Sequence, residues 1–392
     1  MKPSPSCLDY VLKRQVFVGT RSLRSVSLRN DLVSICAPLV CSRIEPRFIL
    51  HDHDDLVASL KFIPSSHLLC SFALDDKIRV FQGAHCHSVL SGPLQQTGGT
   101  IVSDEQVAAC SLRAELGIFD IRRGERISSM FAPSSLILPK GRIEWYTITS
   151  SWNSFIATGG NYGVVALWDS RASLPVEFFQ ANMKPEEQKI RSVAIDPTET
   201  LLSAACGRTV HIWDIRRSIS ILKTIPLSSQ GPIDHILFDP LSSFKLYAGH
   251  RDGSIHSLNI LKENKPIEKI FNEHEAPSVA NRPVSVNFDI SPDGRHLFGL
   301  ARFGKVTIYD VFGDTPNTDS RSFNQSSAAL STSPTGEYST KRRRKISSFL
   351  GTLGDASSEL VRIATAHNLS CASDILFATA STSLDVTLWG MK

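Results

Sequence analysis

Three short motifs in this sequence have residue types suited to phosphate or metal chemistry, but each lacks part of what that chemistry needs. Gly299–Lys305 has the spacing of a phosphate-binding loop. It has no following Ser or Thr to hold Mg²⁺, and the next residues alternate like a strand instead of starting a helix whose N-terminus could bind phosphate. His51–Asp55 and His85–His87 place metal-ligand types at i, i+2 spacing without an identifiable fourth ligand. We therefore predict turns or polar loops at all three, with no metal, no cofactor and no catalysis.

A second set of residues is suited to binding a partner through charged side chains. The phrase Trp-Asp-x-Arg occurs at 168–171 and at 213–216, with a looser copy, Phe-Asp-x-Arg, at 119–122. A planar guanidinium can pair with two oxygens of one carboxylate, and Arg is enriched where interface binding energy concentrates. Two interpretations stay open: solvated loop residues, or a shared binding rim. The candidates for the rim are Trp168, Asp169, Arg171, Trp213, Asp214, Arg216 and Arg122.

A basic run consists of Lys341, Arg342, Arg343, Arg344 and Lys345. It fits a nuclear-import signal read by an importin, a solvated charge run, or a nucleic-acid contact. The last interpretation is the weakest because no aromatic stacking residues interleave with the charges, so direct nucleic-acid binding is not expected. The location expected from the first interpretation is the nucleus, the cytoplasm or both. Ser347 follows the run as a possible kinase site, where a phosphate would offset part of the positive charge.

Length and composition set the class of protein that has to position these residues. The chain has 392 residues, 42% hydrophobic and 20% charged, with a net charge of +4. Such a chain can bury a large core, and its charge does not demand a polyanionic partner. No apolar run approaches the roughly 20 residues of a membrane helix, so no membrane association is expected. The eight cysteines include no Cys-x-x-Cys pair, and Cys70, Cys110 and Cys206 lie in apolar runs that predict buried thiols.

The elements around these motifs repeat along the chain. A β-rich run, a small turn and an alternating strand that ends in a large, mostly aromatic residue recur, with anchors at Phe81, Phe119, Trp168, Trp213, Leu258, Tyr309 and Trp389. All but the last interval fall between 38 and 51 residues, near the period of about 40–45 that is typical of four-stranded propeller blades. Alternating strands joined by Pro and Gly turns indicate antiparallel meanders. The predicted fold is all-β, a single β-propeller.

The repeat also predicts how the ring closes. The chain reaches a third strand at Trp389, so a fourth strand has to come from the N-terminus, through Val16–Val18 or Ser25–Leu28, or the sheet edge stays open. We predict seven blades, with eight as the alternative because residues 17–28 resemble two middle strands. The predicted divisions are a tail at 1–13, blades one to six with the closing strand at 14–312, a flexible basic and Ser-rich insertion at 313–358, and the last blade at 359–392.

On the strand pattern and the Trp168-Asp169 and Trp213-Asp214 pairs, residues 14–392 outside the insertion resemble the WD-repeat β-propellers. The resemblance implies a non-enzymatic interaction scaffold with two loop-bearing faces. In this family a histidine and an aspartate form a hydrogen-bond network within a repeat, and His53 and His274 resemble the remnants of such histidines.

Two consecutive Trp-Asp-x-Arg repeats further resemble the substrate-receptor subunits of cullin-4 ubiquitin ligases, and Leu246–Ile255 is similar to a segment of that family. This resemblance implies that Arg171 and Arg216 support docking on the ligase adaptor, while the opposite face selects a substrate. The short segment before the first strand departs from receptors that insert a helix into the adaptor. The alternative is a WD-repeat scaffold in another nuclear assembly, for ribosome biogenesis, chromatin or RNA processing.

Overall fold

A computed structural model of the chain describes residues 44–66, 68–133, 142–151, 155–181, 189–217, 220–227, 231–251, 253–261, 267–271, 287–301, 305–311, 345–350, 360–366 and 375–391. These residues form 28 strands and a 3₁₀ turn at Asn161–Gly163. The first fourteen strands are β1 (Ile44–Leu50), β2 (Val57–Phe62), β3 (Leu68–Ala73), β4 (Lys77–Gln82), β5 (His85–Ser91), β6 (Gln96–Ile101), β7 (Gln106–Ser111), β8 (Glu115–Asp120), β9 (Glu125–Phe131), β10 (Trp145–Ser150), β11 (Phe155–Gly160), β12 (Val164–Asp169), β13 (Pro175–Gln180) and β14 (Ile190–Ile195). The others are β15 (Leu201–Cys206), β16 (Thr209–Asp214), β17 (Ile221–Pro226), β18 (Ile233–Asp239), β19 (Ser242–His250), β20 (Ile255–Asn259), β21 (Ile267–Phe271), β22 (Phe288–Ile290), β23 (His296–Ala301), β24 (Lys305–Asp310), β25 (Lys345–Leu350), β26 (Leu360–Thr365), β27 (Ile375–Ser381) and β28 (Val386–Met391).

The strands pair into seven four-stranded antiparallel sheets. Six sheets take four consecutive strands each, and the seventh joins the two ends of the described chain in the order β26, β27, β28, β1. The first strands of neighbouring sheets contact one another all the way round, and β26 contacts β2, so the ring is closed. The prediction of an all-β propeller is confirmed, and every repeat anchor named above lies on the third strand of a sheet. No helix in the described ranges has the length and apolarity to cross a membrane.

The closing strand differs from the two segments predicted for it. β1 lies beside β28, with Leu50 opposite Val386, whereas Val16–Val18 and Ser25–Leu28 lie outside the described residues. The choice of segment was therefore wrong, although closure by strands from both ends of the chain is confirmed. The reason is physical: alternation marks a segment as a strand, but it does not specify which edge the strand will pair with.

The boundary of the predicted insertion also changes. Residues 345–350 form β25, the fourth strand of its sheet, with Phe349 opposite Val306. The prediction placed these residues within the flexible segment 313–358, and that part of it is wrong. Residues 312–344 and 351–359 lie outside the described residues. Three apolar residues follow the basic run closely and favour a strand: Ile346, Phe349 and Leu350. The composition of 313–358 as a whole is polar, so an average over the segment does not reveal them.

Burial follows the position of a strand within its sheet. All six residues of the second strand β15 are buried, because neighbouring sheets cover both of its faces. The outer strand β9 exposes most of its residues and buries only Met130. Cys70, Cys110 and Cys206 are buried as predicted, and burial raises the pKa of the Cys110 thiol to about 12. Cys86 is exposed.

The first strands share one irregularity. In six of the seven sheets the register shifts by one residue near the start of the first strand, as in a β-bulge. A bulge leaves one residue unpaired and re-aims side chains. The extra residues are Ala58, Thr97, Tyr146, Arg191, Asp234 and Val361. Five of these six, all but Val361, line a cavity at the centre of the ring.

Candidate protein-interaction site

Three consecutive sheets end their third strand with the same turn. In each turn an Asp carboxylate oxygen accepts a hydrogen bond from the backbone N–H two residues later. The pairs are Asp120 with Arg122 at 2.8 Å, Asp169 with Arg171 at 2.9 Å and Asp214 with Arg216 at 3.0 Å. A short Asp side chain favours such a turn because it hydrogen-bonds its own backbone. Each Asp thereby places an Arg at an equivalent point of its sheet.

These three arginines lie on one face of the ring, here called the Asp-x-Arg face and defined by Arg122, Arg171 and Arg216. In an antiparallel meander the first-to-second and third-to-fourth turns open on the same side. The Arg122 guanidinium illustrates this, since it pairs at 2.9 Å with Glu105 of the first-to-second turn of its own sheet. In the following sheet Asn259 makes the same turn with the N–H of Leu261 at 3.0 Å, so the turn continues but the arginine series does not.

Arg171 is the most tightly positioned of the three. Its Nε donates to Oδ1 of Asp169 at 2.9 Å, and its Nη2 donates to Oδ2 at 2.7 Å. These bonds hold the pKa of the Asp169 carboxyl below its usual range and raise the pKa of the Arg171 guanidinium. The Arg171 side chain is nevertheless 74% exposed, against 18% for Asp169. Arg122 and Arg216 are exposed as well.

The tryptophans of the motif do not belong to this surface. Trp168 and Trp213 are 0% and 1% exposed, so their prediction as direct adaptor contacts is wrong. Trp168 donates from Nε1 to the Thr158 hydroxyl at 2.9 Å and meets Trp145 edge to face, with ring centroids 5.9 Å apart. Asp214 is only 3% exposed and acts within its turn. The large aromatic ring fills the space between neighbouring sheets, which is why it ends the third strand.

The His–Asp network exists in the first complete repeat. Arg79 donates from Nη1 to His53 Nδ1 and to Asp75 Oδ2, both at 2.6 Å. His53 Nδ1 also lies 3.2 Å from Asp75 Oδ2, and its Nε2 lies 2.5 Å from Ser71 Oγ, so both ring nitrogens belong to the network. Burial, together with the Arg79 charge, lowers the pKa of His53, so the ring is neutral near pH 7. His274, the other predicted remnant, lies outside the described residues.

The motifs considered for chemistry become turns and strands. The polar loop predicted at His85–His87 is wrong, because these residues begin β5. Gly299 lies in β23 and Lys305 begins β24, so the loop-like motif joins two strands as predicted. His51 pairs with Asp385 at 2.5 Å, and the described ranges contain no cluster of three or more metal-ligating residues. Lys345 begins β25, whereas Lys341, Arg342, Arg343 and Arg344 lie outside the described residues.

Comparison with known proteins places two segments in one repeat family. The WD domain, G-beta repeat, matches residues 44–82 and 177–214. The first match holds β1–β4, and the second runs from β13 through β16. Each match therefore starts on the outer strand of one sheet and continues through three strands of the next. One repeat of the family is therefore shifted by one strand relative to one sheet of the structure, so each repeat connects two neighbouring sheets.

Two relatives show the same kind of similarity over longer stretches. A guanine nucleotide-binding protein subunit beta from Zea mays is 23% identical over 295 residues, which cover 70% of this chain and 72% of that protein. Pre-mRNA-processing factor 19 from Oryza sativa subsp. japonica is 22% identical over 222 residues, which cover 54% of this chain and 40% of that protein. These matches show that the chain is similar to WD40-repeat proteins, and the closed ring of four-stranded sheets is a β-propeller.

Proposed function

We propose that the protein is a non-enzymatic interaction scaffold whose Asp-x-Arg face docks on the adaptor subunit of a cullin-4 ubiquitin ligase, while the opposite face holds a substrate. The observation that carries the proposal is the repetition of one exposed, Asp-positioned arginine at equivalent turns of three consecutive sheets. Such a protein needs no chemistry of its own. It acts by holding a substrate near an active site on another subunit, which raises the effective concentration of the substrate there.

The geometry of the turns suits docking on a partner rich in carboxylate or carbonyl oxygens. The backbone hydrogen bond to each Asp fixes the turn before binding, so less conformational entropy is lost when a partner arrives. The Arg171 guanidinium is exposed, and solvent screening leaves an exposed ion pair with little net stabilisation. A partner carboxylate can therefore compete for the same guanidinium.

A second candidate is a scaffold in an RNA-processing assembly. It is favoured by the similarity to a protein named Pre-mRNA-processing factor 19. The basic run Lys341–Lys345 is compatible with either role, because a nuclear-import signal would deliver the chain to both kinds of assembly. The two roles differ in the partner bound at the Asp-x-Arg face.

The test is affinity purification of the tagged full chain followed by mass spectrometry, with the adaptor quantified. The variant combines Arg122→Ala, Arg171→Ala and Arg216→Ala. Its matched control combines Arg113→Ala and Arg208→Ala, which replace the same residue type in second-to-third turns on the opposite face of two of the same sheets. We expect the wild type and the control to recover the adaptor and the triple variant to lose most of it.

Failure of the wild type to recover the adaptor would overturn the ligase role, and so would full recovery by the triple variant. Recovery of RNA-processing proteins without the adaptor would establish the second candidate instead. The import role of Lys341–Lys345 is tested separately, by imaging the chain with all five residues replaced by glutamine. An unchanged nuclear fraction would rule that role out.

A further inference from the structure

The centre of the ring holds a cavity of about 130 Å³. Every one of the seven sheets contributes residues from its first strand, or next to it, to the cavity wall. A single water needs about 10–15 Å³ of such space, so the cavity has room for a tetrahedral oxyanion. The bulges matter here, because they place Arg191 and Asp234, from adjacent sheets, in the wall.

The charged residues in the wall do not balance. Lys61, Arg191 and Arg362 are positive and Asp234 is negative, which leaves a net charge of +2 (three minus one). The Asp234 carboxylate is already occupied, since Arg251 donates to its two oxygens at 3.1 and 2.9 Å. Arg191 lies at 3.5 Å from the same carboxylate.

Two of the cations lack a carboxylate partner within the described part of the chain. Arg362 donates only to backbone carbonyl oxygens, that of Ala58 at 2.5 Å and that of Val361 at 2.8 Å. Lys61 makes no ion pair with any described residue. Burial lowers the pKa of the Arg362 guanidinium. Lys61 and Arg362 are half-buried, so a cation without a counter-charge is unfavourable at either place, and a bound anion would offset that cost.

The nearest other charges leave the balance unchanged. Asp289 lies close enough to influence His235, and its carboxylate accepts hydrogen bonds from the Thr365 N–H and hydroxyl at 2.8 and 3.0 Å. If Asp289 and Arg251 are counted with the cavity wall, their opposite charges cancel and the net charge stays at +2. Burial, helped by the charge of Lys61, lowers the pKa of His235 to about 3, so this histidine is neutral near pH 7 and adds nothing.

We propose that the central cavity binds a phosphate group, supplied as inorganic phosphate or as the monoester of a small metabolite. A phosphate monoester carries about −1.5 to −2 charges at pH 7, which matches the net charge of the wall, whereas one carboxylate would leave a cation unbalanced. Lys61, Arg191 and Arg362 provide the N–H donors that phosphate oxygens accept. The site is independent of the docking role, because it involves none of the residues of the Asp-x-Arg face.

The experiment titrates the full chain with inorganic phosphate, and in parallel with glycerol 3-phosphate and acetate, at constant ionic strength. Isothermal calorimetry gives the affinity and thermal unfolding gives the stabilisation. We expect saturable binding of phosphate, and Lys61→Met should weaken it about tenfold or more, since a hydrogen bond to a charged group is lost. Tighter binding of glycerol 3-phosphate than of inorganic phosphate would identify a monoester as the ligand.

The matched control is Lys77→Met, because Lys77 is an exposed lysine that pairs with Asp54 at 2.9 Å and does not line the cavity. It should bind phosphate like the wild type. Arg191→Gln serves as a second cavity variant if Lys61→Met folds poorly, because the Arg191 side chain is 38% exposed and tolerates replacement more readily. Absence of saturable binding to the wild type, equal affinity of the cavity variants, or equal stabilisation by acetate would each overturn the proposal.

Discussion

The carboxylate of Asp169 holds Arg171 in two ways at once. Its Oδ1 accepts both the backbone N–H and the Nε–H of Arg171, each at 2.9 Å, and its Oδ2 accepts from Nη2 at 2.7 Å. One acidic residue therefore sets the shape of the turn and the direction of the guanidinium above it. An arginine without this neighbour would sample many rotamers, and binding would then have to order it.

We predict that Asp169→Ala weakens docking at the Asp-x-Arg face by about threefold to tenfold although Arg171 is unchanged, because both the turn and the side chain lose their support. Asp169→Asn should fall between Ala and the wild type, since its amide oxygen still accepts the backbone N–H. Binding to the purified adaptor, measured by biolayer interferometry, checks the order. Equal affinities for all three proteins would contradict it.

The Trp168–Thr158 hydrogen bond predicts a measurable coupling in stability. Trp168→Phe leaves the buried Thr158 hydroxyl unpaired, and Thr158→Val leaves the indole N–H unpaired, so each should cost about 1–3 kcal/mol of unfolding free energy. The double variant should cost clearly less than the sum. Urea denaturation of the four proteins gives the coupling. Trp389 and Thr379, bonded at 2.8 Å, offer a second cycle, and strict additivity in both would argue against the bond.

His235 predicts a pH dependence of stability. Its pKa is about 3 in the folded protein, against about 6.5 when unfolded, so below pH 6.5 the unfolded chain binds a proton that the folded chain does not. The unfolding free energy should therefore fall as the pH decreases from 6.5 toward 3, by up to about 1.4 kcal/mol per pH unit from this group. Above pH 6.5 the histidine should contribute no slope.

The control for this titration is His235→Gln, which removes the proton-binding group and keeps a polar side chain. Urea unfolding at pH 7, 6 and 5 should give a shallower decline for the variant than for the wild type. If the unfolding free energy declined equally with pH in the two proteins, His235 would not have the lowered pKa that its burial requires.

Because β1 closes the ring, we predict that two neighbouring residues of β1 contribute very differently to the free energy of unfolding. Leu50 is 4% exposed and packs in a cluster with Val386 and Leu388, so Leu50→Ala should cost about 2–5 kcal/mol. Ile49 is 38% exposed, so Ile49→Ala should cost well under half as much. Chemical denaturation measures both. Similar small costs would mean that β1 does not seal the last sheet.

Much of this architecture could be predicted from the sequence. Period-two alternation, with aromatic residues at Phe81, Trp168 and Trp389, fixes the third strands, because a ring that packs between sheets is needed at the same place in each repeat. The closing strand could not be chosen, because Ser25–Leu28 alternates like a strand, whereas Ile44–Leu50 has no period-two alternation and contains Pro46. Pairing depends on which edge is free, and that is a property of the whole ring.

The site was predictable in one part and not in another. Asp-x-Arg is a local motif, and its backbone hydrogen bond spans two residues, so Arg171 and Arg216 could be identified directly. The central cavity could not be identified in this way, because Lys61 and Arg362 are separated by most of the chain and meet only when the ring closes. The bulges that expose Arg191 and Asp234 depend on strand register, which residue types alone do not encode.

The recurring bulge has a consequence for how such a chain can diversify. The bulged residue makes no backbone hydrogen bond to the next strand, so replacing it keeps the backbone pairing of the sheet and changes the lining of the central cavity. Ala58, Thr97, Tyr146, Arg191 and Asp234 already show a methyl group, a hydroxyl, a phenol, a cation and an anion at equivalent places. A new ligand preference could thus arise from one or two such exchanges, with the rest of the ring serving as an unchanged frame.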